Sequence, residues 1–300
     1  MQKQDKTFIK NTANLFNLTI ISILLISVLF SLAVNIYTTS TGVKVEDLQN
    51  KDIFICLSYL TTNIALFIAL FSYSKKIKTP FIKLFECEKP SLKSVIATIL
   101  IAIGMLFGLS SVNELVFEFA KSIGLNVAQP SLPTFSILNF ISIVIFVCLL
   151  PPILEEVIFR NILFKNFSKY GTVTAILITS LIFSLYHMSI TQTVYQFIVG
   201  VLFSLIILKG GNYLLTALAH LINNLFVVLN YYFFNISFSN EVNLVVTVLG
   251  VISLVVGLLL LFINNKQKFI KGNAKNVKQI FLGCFLGISI CILFWIVGLF

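Results

Sequence analysis

With 58% hydrophobic side chains, 30 phenylalanines and 11% charged residues over 300 positions, the chain is too apolar for a soluble domain, in which about a quarter of residues carry charge. A net charge of +10 would suit a nucleic acid, but the basic residues lie in short loops between apolar runs, the pattern by which a membrane protein fixes its orientation. The composition therefore implies an all-α, polytopic membrane protein whose partner is the lipid bilayer, with no nucleic acid.

Runs of about 20 apolar residues, the length that crosses a bilayer, predict spans near 15–38, 53–74, 92–112, 134–154 (running on towards 163), 172–188, 193–208, 213–234, 243–263 and 279–299, eight or nine in all. A cytoplasmic N-terminus puts 18 of the 21 Lys and Arg on one side, among them Lys266, Lys268, Lys271, Lys275 and Lys278. Only Lys44, Lys51 and Lys121 fall on the other, which implies an odd number of spans. The first span is too long for a removable signal peptide and has no small-residue cleavage site. Pro151 and Pro152 are expected to break or kink the fourth span. The five cysteines form no disulfide or metal-binding pattern. With no repeat and no soluble segment, residues 1–300 read as a single membrane domain.

Against this background a few polar residues stand out. Each charge inside a bilayer costs roughly 2.5–3.5 kcal/mol at mid-depth, so its presence needs a reason. The stretch FVCLLPPILEEVIFRNILF, from Phe146, holds Glu155, Glu156 and Arg160; both histidines of the chain, His187 and His220, also fall in spans. Neighbours on a helix are about 100° apart, so the two acids face different ways. Glu156 and Arg160, at i and i+4 with the acid first, can pair on one face. Glu155 is then left without a partner on its own helix, as a general base requires. In FSLYHMS, Phe183 and His187 share a face. In TALAHLINNLF, His220 and Asn224 do, with Asn223 turned about 100° away. Such an amide can orient a water, bond a His ring or polarise a carbonyl. Each of these residues could equally lace helices together. Jointly, a carboxylate, two imidazoles and an amide suffice to activate water and stabilise an oxyanion. Glu155, His187 and His220 also match a catalytic zinc set of two His and one Glu, if a metal is used.

The order EExxxR (Glu155, Glu156, Arg160), FxxxH (Phe183, His187) and HxxxN (His220, Asn224) resembles the CPBP family, the CAAX prenyl protease and bacteriocin-processing (Abi) intramembrane proteases that include the Rce1-like enzymes. The FRNILF that follows the acid pair and the LKGGNYLLTALAH that leads into the last motif add to the likeness. The resemblance covers about 140–230 and implies a catalytic core over 134–234. It implies hydrolysis of a peptide bond in a membrane-associated peptide or protein. Glu155 would activate water with His187, His220 and Asn224 would serve the oxyanion or hold the centre together, and Glu156, Arg160 and Phe183 would support it. It leaves open whether the enzyme is a glutamate-dependent protease or a zinc metalloprotease.

Two other readings stand beside the protease: a membrane scaffold or regulator of the same fold, and a proton-coupled carrier. A carrier would show paired broken helices in two halves, whereas here the polar residues gather in three spans. A composition rich in Lys, Ile, Asn and Phe, with Arg160 the one arginine, points to an AT-rich bacterial genome. That would make this a multi-pass cell-membrane protein with a role in bacteriocin immunity or peptide maturation. One tension remains: straight helices rising about 1.5 Å per residue put His187 roughly 24 Å deep but His220 only about 12 Å, so the helices must tilt or start at different depths.

Overall fold

The computed structural model describes residues 3–125, 131–236, 238–263 and 269–297. Lys266, Lys268 and the end of the last expected span lie outside them. Eight helices are long and apolar enough to cross a bilayer: α1 (Lys3–Thr41) and α2 (Asp52–Lys76); α3 (Leu92–Gly108), continued by α4 (Ser110–Ser122) after a break at Leu109; α5 (Ile137–Ser168); and, after a shorter α6 (Thr172–Tyr186), α7 (Ile190–Gly210), α8 (Tyr213–Phe234), α9 (Asn240–Phe262) and α10 (Ala274–Val297). The protein is thus an all-α polytopic membrane protein. Side-chain caps open several helices: Ser91, Ser136 and Ser239 accept from the backbone N–H three residues on, and Asn212 from that of Leu214. Gly211, at φ 75°, closes α7 in the left-handed conformation that glycine adopts without strain.

The loops sort to two ends of the bundle. At one end Tyr170 donates to Asp5 (3.1 Å), Tyr213 to the Phe85 carbonyl (3.1 Å), Lys93 to the Ile263 carbonyl (2.8 Å) and the Thr172 N–H to the Ile270 carbonyl (2.9 Å). At the other, the Thr134 N–H reaches Asp52 (2.8 Å), and Tyr59 and Tyr232 donate to the carbonyls of Ser131 (2.9 Å) and Pro133 (2.8 Å). The basic loops thus come together at one end, as the charge pattern implied.

Two pairings fix the periphery. In α3 and α9, Gly104, Gly108, Gly250 and Gly257 let the backbones touch: a Cβ on Gly108 would sit 2.8 Å from the Val251 nitrogen, and one on Gly257 2.8 Å from the Ala97 carbonyl oxygen. Small residues four apart are the usual device for close helix contact in lipid. In α1 and α10, Asn17 donates to the Gly283 carbonyl and accepts from the Gly287 N–H, both at 2.9 Å. These pairs surround the central helices α5 to α8.

Of the two outcomes expected at the prolines, the structure removes the break. α5 runs through Pro151 and Pro152 as continuous helix. It widens instead, taking π-helical register over Val144–Leu149 and again over Val157–Phe164. Such wide turns absorb a lesion in the usual hydrogen-bond ladder.

Candidate active site

α6 has 15 residues and is about 22 Å long, less than the roughly 30 Å of a bilayer's hydrocarbon core. Beginning at the basic end, it stops short of the far side. His187 caps its last turn, and Met188, at φ 49°, turns the chain into α7. The two histidines nevertheless meet: the rings of His187 and His220 both pack on Phe183, with centroids 5.0 and 6.2 Å away, as helices that tilt or start at different depths allow.

The two carboxylates of α5 have separate surroundings. Glu156 is fully buried between two nitrogen partners, with Oε2 3.4 Å from Arg160 Nε and Oε1 3.3 Å from His220 Nδ1. The expected Glu156–Arg160 pair is present. Arg160 is itself fully buried, its guanidinium lying over the rings of Phe183 (4.4 Å), Phe203 (5.4 Å) and Phe159 (5.9 Å). Aromatic faces offset part of the cost of burying a cation. Phe183 is therefore the floor of the site, touched by Arg160 and both imidazoles.

Glu155, 5% exposed, faces elsewhere. Its Oε1 accepts from the Tyr186 hydroxyl at 3.2 Å, while Oε2 is buried and meets no donor. Tyr186 went unnoticed in the sequence, because about 100° per residue turns it away from His187 on a continuing helix. The helix ends there, so both side chains reach the site, their rings 5.2 Å apart. Direct adjacency to a membrane histidine was the available signal.

The imidazoles are oriented by acceptors. His187 Nδ1 lies 2.8 Å from the Phe183 carbonyl. A carbonyl only accepts, so the neutral ring carries its hydrogen on Nδ1 and leaves Nε2 with a free lone pair. By the same reasoning His220 turns Nδ1–H to Glu156 and leaves Nε2 free. Asn224 donates to the backbone carbonyl of Val147 in α5 at 2.9 Å, a contact between helices. Its Oδ1 accepts from Asn223 (3.2 Å), whose own Oδ1 accepts from Tyr195 (3.0 Å).

The donors of the zinc set do not converge. Among the described residues no group of three or more His, Cys, Asp or Glu is placed to hold a metal ion. The residues as arranged do not fit a His₂Glu centre.

Residues 137–226 match the family described as type II CAAX prenyl endopeptidase, Rce1-like. That segment contains every residue of the site named above, and the match agrees with the CPBP resemblance of its motifs. No curated protein and no solved structure matches the chain.

Proposed function

We propose that this protein is an intramembrane endopeptidase, with Glu155 as the general base that activates water against a peptide bond. The observation that carries the reading is the division of labour between adjacent carboxylates. Glu156 has the Arg160 cation 3.4 Å from Oε2, though without a hydrogen bond, and the His220 ring 3.3 Å from Oε1, whereas Glu155 Oε2 is buried with neither a donor nor an ion-pair partner. A buried acceptor left unmet costs free energy, and here it faces a site whose other free groups are those of an acyl-transfer centre.

In this scheme Glu155 Oε2 takes a proton from water as the water oxygen bonds the peptide carbonyl carbon. His187 Nε2 accepts the second hydrogen bond of that water and orients it. The carbonyl oxygen becomes an oxyanion, served by the N–H of Asn224 not engaged with Val147 and by His220 when its ring carries both hydrogens. The proton held on Glu155 then passes to the leaving nitrogen as the C–N bond breaks, giving a carboxylic acid and an amine. Tyr186 holds Oε1 so that Oε2 is the oxygen presented.

The substrate is a membrane-associated peptide or protein. The bacterial composition and the CPBP resemblance favour peptide maturation or bacteriocin immunity over a prenylated protein. The test compares membrane and secreted peptides, by mass spectrometry, from cells expressing wild type or Glu155→Gln at equal levels. A peptide processed by the wild type alone supports the reading and identifies the substrate. Identical profiles would sink it and leave a scaffold.

A further inference from the structure

Asn63 of α2 lies far outside the segment that carries the protease motifs. It is 4% exposed within a span, where a buried amide needs partners. Its Nδ2 donates to the Phe146 carbonyl of α5 at 2.9 Å and to the Tyr59 carbonyl of its own helix at 3.0 Å. Its Oδ1 is buried without a donor. The side chain is thus oriented to give hydrogen bonds, at the expense of its acceptor.

The identity of the accepting carbonyl follows from the two prolines. In the wide register of Val144–Leu149, the Leu150 N–H bonds the Ile145 carbonyl five residues back. Continued in that register, residue 151 would bond Phe146 and residue 152 would bond Val147. Both are prolines and have no N–H. Those two carbonyls are the ones that receive side-chain amides, Asn63 on Phe146 and Asn224 on Val147, each at 2.9 Å. One amide from α2 and one from α8 stand in for the donors that Pro151 and Pro152 lack. The Tyr59 bond is secondary, because that carbonyl also has a helical partner in the Asn63 backbone N–H.

We infer that Asn63 is a positioning residue for Glu155, replacing the missing N–H of Pro151 and so fixing the helical turn that presents the base. Glu155 stands four residues, one turn, beyond Pro151, in the α-helical stretch Leu150–Glu156 that follows directly on the wide turn whose ladder lacks those two donors. The inference rests on Glu155 being the base.

The exchange of donors is testable by restoring the one that is absent. Asn63→Leu, Pro151→Ala, the double variant and Glu155→Gln would each be purified full length in detergent for thermal unfolding. Their processing of the Glu155-dependent peptide would be measured in membranes and expressed per folded molecule. Asn63→Leu is expected to lower the unfolding temperature and to cut processing per folded molecule about ten- to a hundredfold, the scale of an ångström's misplacement. Adding Pro151→Ala should recover most of both losses, since the backbone N–H restored at position 151 can bond the Phe146 carbonyl. A wild-type rate per folded molecule in Asn63→Leu, or a double variant no better than Asn63→Leu, would overturn the inference. If no peptide is processed in a Glu155-dependent way, the protease reading falls and takes the positioning role with it. Coupling of the two substitutions in unfolding temperature would still show whether the amide replaces the proline's donor.

Discussion

The Tyr186 hydroxyl donates to Glu155 Oε1 at 3.2 Å within a wholly buried contact, and the other oxygen of the same carboxylate has no donor. A residue of α6 that is not among the motif positions thereby decides which oxygen of Glu155 is free of a donor. Removing that hydroxyl leaves the ring packing on Phe159 and His187 intact. Tyr186→Phe should keep the unfolding temperature close to wild type while slowing peptide processing about ten- to a hundredfold, the equivalent of one hydrogen bond to a charged group. Full activity in that variant would show that Glu155 is oriented by something else.

Glu156 should behave unlike Glu155. Glu156→Gln strands Arg160 in a box of phenylalanines, and leaving one buried charge uncompensated costs about 3–5 kcal/mol. The expected result is a marked fall in folded protein, read by thermal unfolding in detergent, whereas Glu155→Gln stays folded and inactive. Arg160→Lys should also destabilise, because an ammonium lacks the planar face that covers Phe183. Unchanged stability in both variants would mean that the ion pair is idle.

Zinc content offers an independent check on the donor arrangement. With no group of three or more donors placed to hold a metal ion among the described residues, purified wild type and His187→Ala should carry equal zinc. Stoichiometric zinc lost in His187→Ala would show that the three donors converge in the working enzyme and would assign it to the metalloproteases.

The α3–α9 contact should be intolerant of any side chain. Gly250→Val places a branched side chain against the backbone at Gly108 and should cost about 1–3 kcal/mol by forcing the helices apart. Wild-type unfolding of that variant would show the two helices to be freer than their packing implies.

Much of this was legible in one dimension, for physical reasons. A hydrophobic run long enough to span lipid must be a helix, because lipid supplies no partner for an open backbone, so the gathering of basic loops and every expected span but 172–188, which is a helix of 15 residues, could be read directly. Glu156 and Arg160 could be paired because they are i,i+4 on one helix, and Phe183 could be set beneath His187 for the same reason. What depends on where a helix stops, or on which helix lies beside which, could not be read. Tyr186 reaches Glu155 only because α6 ends after 15 residues. His220 serves Glu156 because α8 packs on that face of α5. The prolines leave α5 unbroken because amides 83 and 77 residues away in sequence meet the carbonyls they free. Local periodicity determined which residues share a face; only the tertiary structure decided what each face meets, since those contacts join positions that no repeat along the chain connects.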